Sequence, residues 1–149
     1  RDKLVTGVQT CALPISMRPM GRNSSGIIGM RLSSGDVVIG MDVVKKDSSL
    51  FVVTEGGYGK KMDYRNFATK GRGGKGMAYL KVSDKNGPAS GIRSVFPEDE
   101  IIIASKTGMT IRLLAKDVSI QGRATVGVKL LDLNESDMVT DFAVISEEL

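Results

Sequence analysis

Residues 71–82 read GRGGKGMAYLKV. Their Gly-Arg-x-x-x-Gly opening recurs at Gly21-Arg22 with Gly26 and at Gly122-Arg123 with Gly127, at spacings of 50 and 51 residues. A similar apolar segment follows each opening: GIIGMRL (26–32), GMAYLKV (76–82) and GVKLLDL (127–133). A second landmark keeps register, because TEGG (54–57) and SKTG (105–108) each end 14 residues before the next Gly-Arg. Self-similarity at a fixed period of this size marks a repeat architecture.

Inside each unit the apolar runs are short and end in turn chemistry. Asp36–Val44 (DVVIGMDVV), Leu50–Thr54 (LFVVT) and Ile101–Ala104 (IIIA) are rich in β-branched residues, and Asn86-Gly87-Pro88 and Lys106-Thr107-Gly108 are turn sequences. No segment sustains a helical period. The spacing predicts an all-β fold of propeller-like blades with about four strands each. The blades are expected at about 17–67 and 68–118, with a third opening at 119–145. Blades bury their faces against neighbours, so a piece of under three is expected to be marginal or aggregation-prone alone.

The N-terminus reads differently. Residues 5–15, VTGVQTCALPI, are what the bases of a common sequencing-library adapter encode. Residues 1–16 are therefore read as an artefactual, disordered leader and set aside, and the true N-terminal portion is expected to be missing. The only cysteine, Cys11, lies in that leader, which leaves no disulfide framework, Cys metal site or thiol nucleophile in the body. There is no His, so His general bases and His metal ligands are excluded. No apolar run approaches a membrane helix, no export signal remains, and the cytoplasm is the expected compartment.

Charge is uneven. Residues 17–129 hold 19 Lys or Arg against 10 Asp or Glu, whereas 130–149 holds six acids and no base. A basic body with an acidic end suggests a polyanionic partner and a modulating tail.

The glycine-rich stretch is not a nucleotide loop. Gly71 and Gly76 have P-loop spacing, but Met77 and Ala78 stand where Lys and Ser/Thr must be. GGYGKK (56–61) fails similarly, with Thr54 in place of the first Gly and Lys61 in place of the hydroxyl. A nucleic-acid backbone suits the composition better. Lys60, Lys61, Arg65, Lys70, Arg72 and Lys75 fall within 16 residues that contain one acid, Asp63. Glycines allow close approach to phosphates, and the cations displace counterions. The expected DNA contacts are Arg72 and Lys75 first. Lys70, Gly73, Gly74, Lys60, Lys61 and Arg112 follow, with Arg22 and Arg123 at the same place in neighbouring blades. If blades fan around an axis, Arg22, Arg72 and Arg123 would line a curved cationic rim. Gly21, Gly71 and Gly122 are read as turn formers. Tyr58, Tyr64 and Tyr79 make no stacking series, which argues for duplex rather than single-strand binding.

These runs carry a resemblance. MRPMGRNSSGIIGMRL, VVTEGGYGKKMDYRNF, TKGRGGKGMAYLKV and GMTIRLLAKDVSIQGRATVGVKLLDL, in that order, resemble the C-terminal domain of the bacterial DNA gyrase A protein over essentially all of 17–149. The resemblance implies a β-pinwheel of about six blades whose basic rim wraps double-stranded DNA, with roughly two and a half to three blades present here. It implies no catalytic residue and no cofactor in this stretch. DNA cleavage would belong to a tyrosine in an N-terminal domain and ATP (with Mg²⁺) to the gyrase B protein, which would be the partner in an A2B2 tetramer. The family's box, Q-R-R-G-G-K-G, is matched by Arg72-Gly73-Gly74-Lys75-Gly76 in its last five positions. Lys70 and Gly71 replace the Gln and first Arg, so a full box is expected upstream. The topoisomerase IV A protein is the nearest alternative. A WD- or kelch-type scaffold fits the period but calls for Trp landmarks, and there is no Trp.

Overall fold

A computed structural model describes the backbone of residues 8–11 and all of residues 19–146. The strands are β1 (Val8–Cys11), β2 (Ser49–Thr54), β3 (Tyr58–Asp63), β4 (Met77–Lys81), β5 (Ala89–Val95), β6 (Glu100–Ser105), β7 (Thr110–Leu114), β8 (Val128–Lys129) and β9 (Val139–Ile145). Two short 3-10 turns, Tyr64–Asn66 and Ala115–Asp117, follow β3 and β7. No α-helix occurs among the described residues, so none is long and apolar enough to cross a membrane. All pairs of named strands are antiparallel.

Three sheets form: β5-β2-β3-β8, β7-β6-β9 and β1-β4. Against the repeat, the order has a rule. The hairpin β2-β3 of one unit takes β5 from the next unit on one side and β8 from the next but one on the other. The hairpin β6-β7 takes β9 by the same rule. A sheet is therefore not a contiguous 50-residue segment. The expected blade bounds at 67/68 and 118/119 cut through both larger sheets, because sequence periodicity fixes spacing but not which copies pair.

β2 lies at the centre of the first sheet, and its side chains are buried on both faces. Phe51 and Val53 point into a cluster with Val95, Ile101, Ile103, Ala115, Val118, Leu131 and Val139. Leu50 and Val52 point the other way, onto Met62, Phe67, Tyr79, Leu80 and Ala89. Alternation with period 2 thus serves two cores, one on each side of the sheet. Phe51 meets Phe142 of β9 edge-on at 5.4 Å between ring centroids. A Cβ on Gly91 would sit 2.6 Å from that Phe142 ring, so β5 needs glycine there for the sheets to stack.

Two expectations are corrected. The DVVIGMDVV run (36–44) forms no strand. Its rule-given partner is the third strand of a preceding unit, which the described residues do not contain. It rests on β5 instead through side chains: Asp42 accepts from the Ser94 N–H (2.7 Å) and Val43 O from the Ser94 hydroxyl (3.0 Å). Val37, Val38 and Met41 are left 73%, 68% and 85% exposed. The leader was expected to stay outside the fold, but Val8–Cys11 pairs with β4. β4 is equivalent to β8, which lies on β3, so β1 takes the place a fourth strand would hold. An unpaired strand edge is a template for any chain that can adopt β geometry, and Val8 and Thr10 are β-branched. The rest of the leader lies outside the described residues.

Candidate nucleic-acid interface

Each Gly-Arg opening forms a turn at the Arg and the residue after it. The second glycine of each motif is the conformationally demanding one: Gly26, Gly76 and Gly127 all have positive φ (80°, 74° and 93°). The first glycines, Gly21, Gly71 and Gly122, have open space where a Cβ would go. The turns are pinned alike. Arg31 N–H donates to Gly74 O (2.9 Å), and at the equivalent place Lys81 N–H donates to Thr125 O (3.1 Å).

On the 70–76 turn, Lys70, Arg72 and Lys75 are exposed, and none has a carboxylate partner among the described residues. Gly74 is exposed as well. Gly73 (φ 70°) shapes the turn, but its N–H is committed to Gly29 O at 3.0 Å and is not available to a phosphate. Arg22 is exposed on its own turn. Arg123 is half-buried and donates one guanidinium N–H to Ala78 O (3.2 Å), leaving further donors of the fork unused. Lys81, not among the expected contacts, lies beside it. Both line a shallow hollow of about 290 Å³ with Ala78, Leu80 and Ala124. The repeat gives a divided signal for Lys81, because the equivalent residue is the exposed Arg31 in the preceding unit and Asp132 in the next.

Two expected contacts are corrected outright. Lys60 is fully buried, and its ammonium donates to Gly122 O (2.9 Å), Arg123 O (3.0 Å), Thr125 O (3.0 Å) and Thr125 Oγ1 (3.0 Å). Desolvation pushes its pKa down from 10.5 to about 8, which still leaves it charged at neutral pH. Lys61 is 6% exposed. Burial lowers its pKa too, opposed by the nearby Asp117 carboxylate. Both lie on β3, which the segment at 119–131 covers, so neither meets a ligand. Arg112 on β7 is exposed but is engaged by Glu100. Lys116 is paired with Glu98 (3.2 Å) and Arg65 with Asp63 (2.5 Å). Such surface pairs contribute little stability, yet they cancel local field. The exposed cations without a carboxylate partner among the described residues thus include those of the Gly-Arg turns and Lys81, together with Arg31, Lys45, Lys46, Arg93 and Lys106.

The acidic end is partly structural. Asp137 accepts from the Thr107 N–H (3.0 Å) and hydroxyl (2.6 Å), tying the β8–β9 connection to the β6–β7 turn. Those bonds, the Thr107 hydroxyl first, hold its pKa at about 2. Asp132 pairs with Lys129 (2.5 Å). Glu147 and Glu148 lie outside the described residues.

Residues 18–45, 48–93 and 99–146 match the family described as DNA gyrase C-terminal domain, beta-propeller. The DNA gyrase A protein of Staphylococcus epidermidis is 36% identical over 135 residues, covering 89% of this chain and 15% of that protein. Its Staphylococcus aureus counterpart matches to the same extent, 36% over 135 residues with the same coverage. The chain thus spans about 15% of the length of these relatives. A solved DNA gyrase A C-terminal domain superposes with a TM-score of 0.78 at 30% identity, covering 87% of this chain and 44% of that one. The C-terminal domain of DNA topoisomerase IV gives 0.73 at 25%, covering 78% and 37%. The E. coli ParC C-terminal domain shares the fold, at 0.63 and 15%, covering 78% and 49%. TM-score, identity and coverage of this chain all favour the gyrase A domain.

Proposed function

The chain belongs to the DNA gyrase C-terminal domain family of beta-propellers, and from that premise we propose that it binds and wraps duplex DNA as part of a gyrase A protein. The observation that carries the reading is the 70–76 turn, where Lys70, Arg72 and Lys75 stand exposed with no carboxylate partner among the described residues. Free cations on a glycine-rich turn suit phosphate contact, which fixes DNA in place without reading its sequence. Lys81 extends the positive surface within the same unit, and Arg22 and Arg123 supply cations on the neighbouring units. DNA following successive turns would bend, and phosphate contacts would offset the bending energy. About four neutralised phosphates would give a slope of log K against log salt near −3.6.

In this reading the module carries out no chemistry. It presents a wrapped segment for strand passage by a bacterial type II topoisomerase in the cytoplasm, which introduces negative supercoils. Cleavage belongs to another domain of the gyrase A protein. ATP hydrolysis, with Mg²⁺, belongs to the gyrase B protein in an A2B2 assembly. The test is to ligate nicked plasmid with the chain bound and resolve the topoisomers. A shift in linking number is expected. An unshifted ladder with the plasmid saturated would refute wrapping, and a lack of salt-dependent duplex binding would refute DNA contact altogether.

A further inference from the structure

Lys60 is the one fully buried cation among the described residues, and the proposed wrapping surface does not use it directly. We propose that Lys60 is a positioning residue of that surface: its ammonium sits inside the Gly122–Thr125 turn and orients Arg123 and the turn's N–H groups toward a DNA phosphate. The inference rests on the DNA-binding reading above.

The first support is the fit. Three carbonyls and one hydroxyl, all at 2.9–3.0 Å, surround Nζ, and they lie 62 to 65 residues away in sequence. An ammonium has only three protons, so the four oxygens exhaust its donors. The second is an internal control. The residue equivalent to Lys60 in the next unit is Ile111 on β7, a half-buried apolar residue. The strand itself therefore has no need of a lysine. Among the described residues β3, unlike β7, has a Gly-Arg turn laid over it. Backbone bonds bring that turn's approach onto the same strand, from Lys61 N–H to Ser119 O (3.0 Å) and from Gln121 N–H to Lys61 O (2.8 Å).

The third is direction. In a trans peptide the C=O and N–H point opposite ways. With the carbonyls of Gly122, Arg123 and Thr125 turned onto Nζ, the N–H groups of Arg123, Ala124 and Val126 point away from it. None of the three has a hydrogen-bond acceptor among the described residues. Carbonyls that converge on one ammonium send these N–H groups outward to the solvent side of the turn, where each can donate to an anion's oxygen. At the equivalent place in the preceding unit, Gly73 N–H is already bonded to Gly29 O. The Arg72 and Lys75 N–H groups of that turn are unused just as those of Arg123 and Val126 are, so the donor that the lysine-backed turn adds is the Ala124 N–H.

The test uses the 149-residue chain with Lys60→Met, Lys60→Arg, Arg123→Ala and the Lys60→Met/Arg123→Ala double variant. A labelled duplex is titrated across a salt series, and trypsin reports the turn by its cut after Arg123. Lys60→Met keeps an unbranched stem without charge, and Lys60→Arg keeps charge in a planar fork that does not fit four converging oxygens. Both are expected to speed the Arg123 cut about tenfold, the size of one lost charged hydrogen bond, with the Arg72 cut unchanged. Both should also flatten the salt slope by about one unit, as Arg123→Ala does, and the double variant should be no worse than either single. Unchanged cutting and slope in Lys60→Met, or additive losses in the double variant, would overturn the proposal. So would a Lys60→Arg chain that behaves as the parent, since charge alone would then suffice. If Lys60→Met does not fold, Lys60→Arg decides by the same readouts. A parent chain without duplex binding would sink the DNA reading, while the tryptic arm still decides whether Lys60 holds the turn.

Discussion

β3 and β7 occupy the same place in consecutive repeats, yet they live in different surroundings. β3 (YGKKMD) is buried along five of its six residues, because β8 and the turn before it lie over it. β7 (TIRLL) has no such cover among the described residues and no fully buried position. The sequences record the difference. Gly59 is matched by Thr110, and a Cβ on Gly59 would meet Leu130 Cδ1 at 2.4 Å. Lys60 is matched by Ile111, and the buried Lys61 by the exposed Arg112. A residue in this fold is chosen by the unit two places on as much as by its own.

The sharpest way to break that comparison is a matched pair of glycines. Gly57 and Gly108 both end a hairpin turn with positive φ, 78° and 93°. A Cβ on Gly57 would lie 2.6 Å from Leu131 O, whereas Gly108 has open space. Gly57→Ala is expected to cost about 3 kcal/mol or more, from strain plus overpacking, and Gly108→Ala about 1 to 2 kcal/mol from strain alone. Urea melts of the two variants measure this, and equal costs would mean that the cover on β3 is not there in solution.

Next in size is DNA binding. Arg72→Ala with Lys75→Ala should flatten the salt slope by up to about two units on every duplex sequence. Arg112→Ala, on the uncovered strand, should leave the slope nearly unchanged because Glu100 already engages that guanidinium. A loss confined to one duplex sequence would point to base readout.

pH separates the two strands more gently. Lys60 has a folded pKa of about 8 against an ordinary 10.5, and Lys61 is lowered as well. Between those values the unfolded chain holds more protons, so stability should rise as pH climbs from about 8 to 10.5. Lys60→Met should remove most of that rise. On the β7 side, Asp137 titrates near 2 instead of 3.8, so the stability it lends is present above 3.8 and lost as pH falls toward 2. Asp137→Asn should flatten the acid limb only. The smallest effect belongs to the unpaired 36–44 segment. Met41→Lys should lower binding of a hydrophobic dye with a melting shift within about 0.5 kcal/mol.

Much of the fold was legible because the Gly-Arg motif recurs at nearly constant spacing and the runs between are β-branched. Strand sharing was not. LFVVT reads as a buried strand whichever copy supplies its neighbours. The cationic turn at 70–76 was legible as charge without nearby acid, whereas GGYGKKM misled. Two consecutive lysines normally mark a solvated strand end, and burial of Lys60 depends on carbonyls 62 to 65 residues away. The aligned Ile111 was the available sign that this position faces inward. Arg112 misled for a local reason, since its partner Glu100 lies directly on the neighbouring strand only once the β6–β7 register places it opposite Leu114.

The sharing of strands across three units also sets an order of events during synthesis. β8, which closes the edge of β3, begins at Val128, roughly 65 residues after β3 ends, so a ribosome adding about 5–20 residues per second leaves that edge open for about 3 to 13 s. Through that interval Lys60 is a hydrated surface cation on a half-built sheet. It loses its water only when the Gly122–Thr125 turn arrives, which makes closure of the first sheet a late step in the life of the nascent chain.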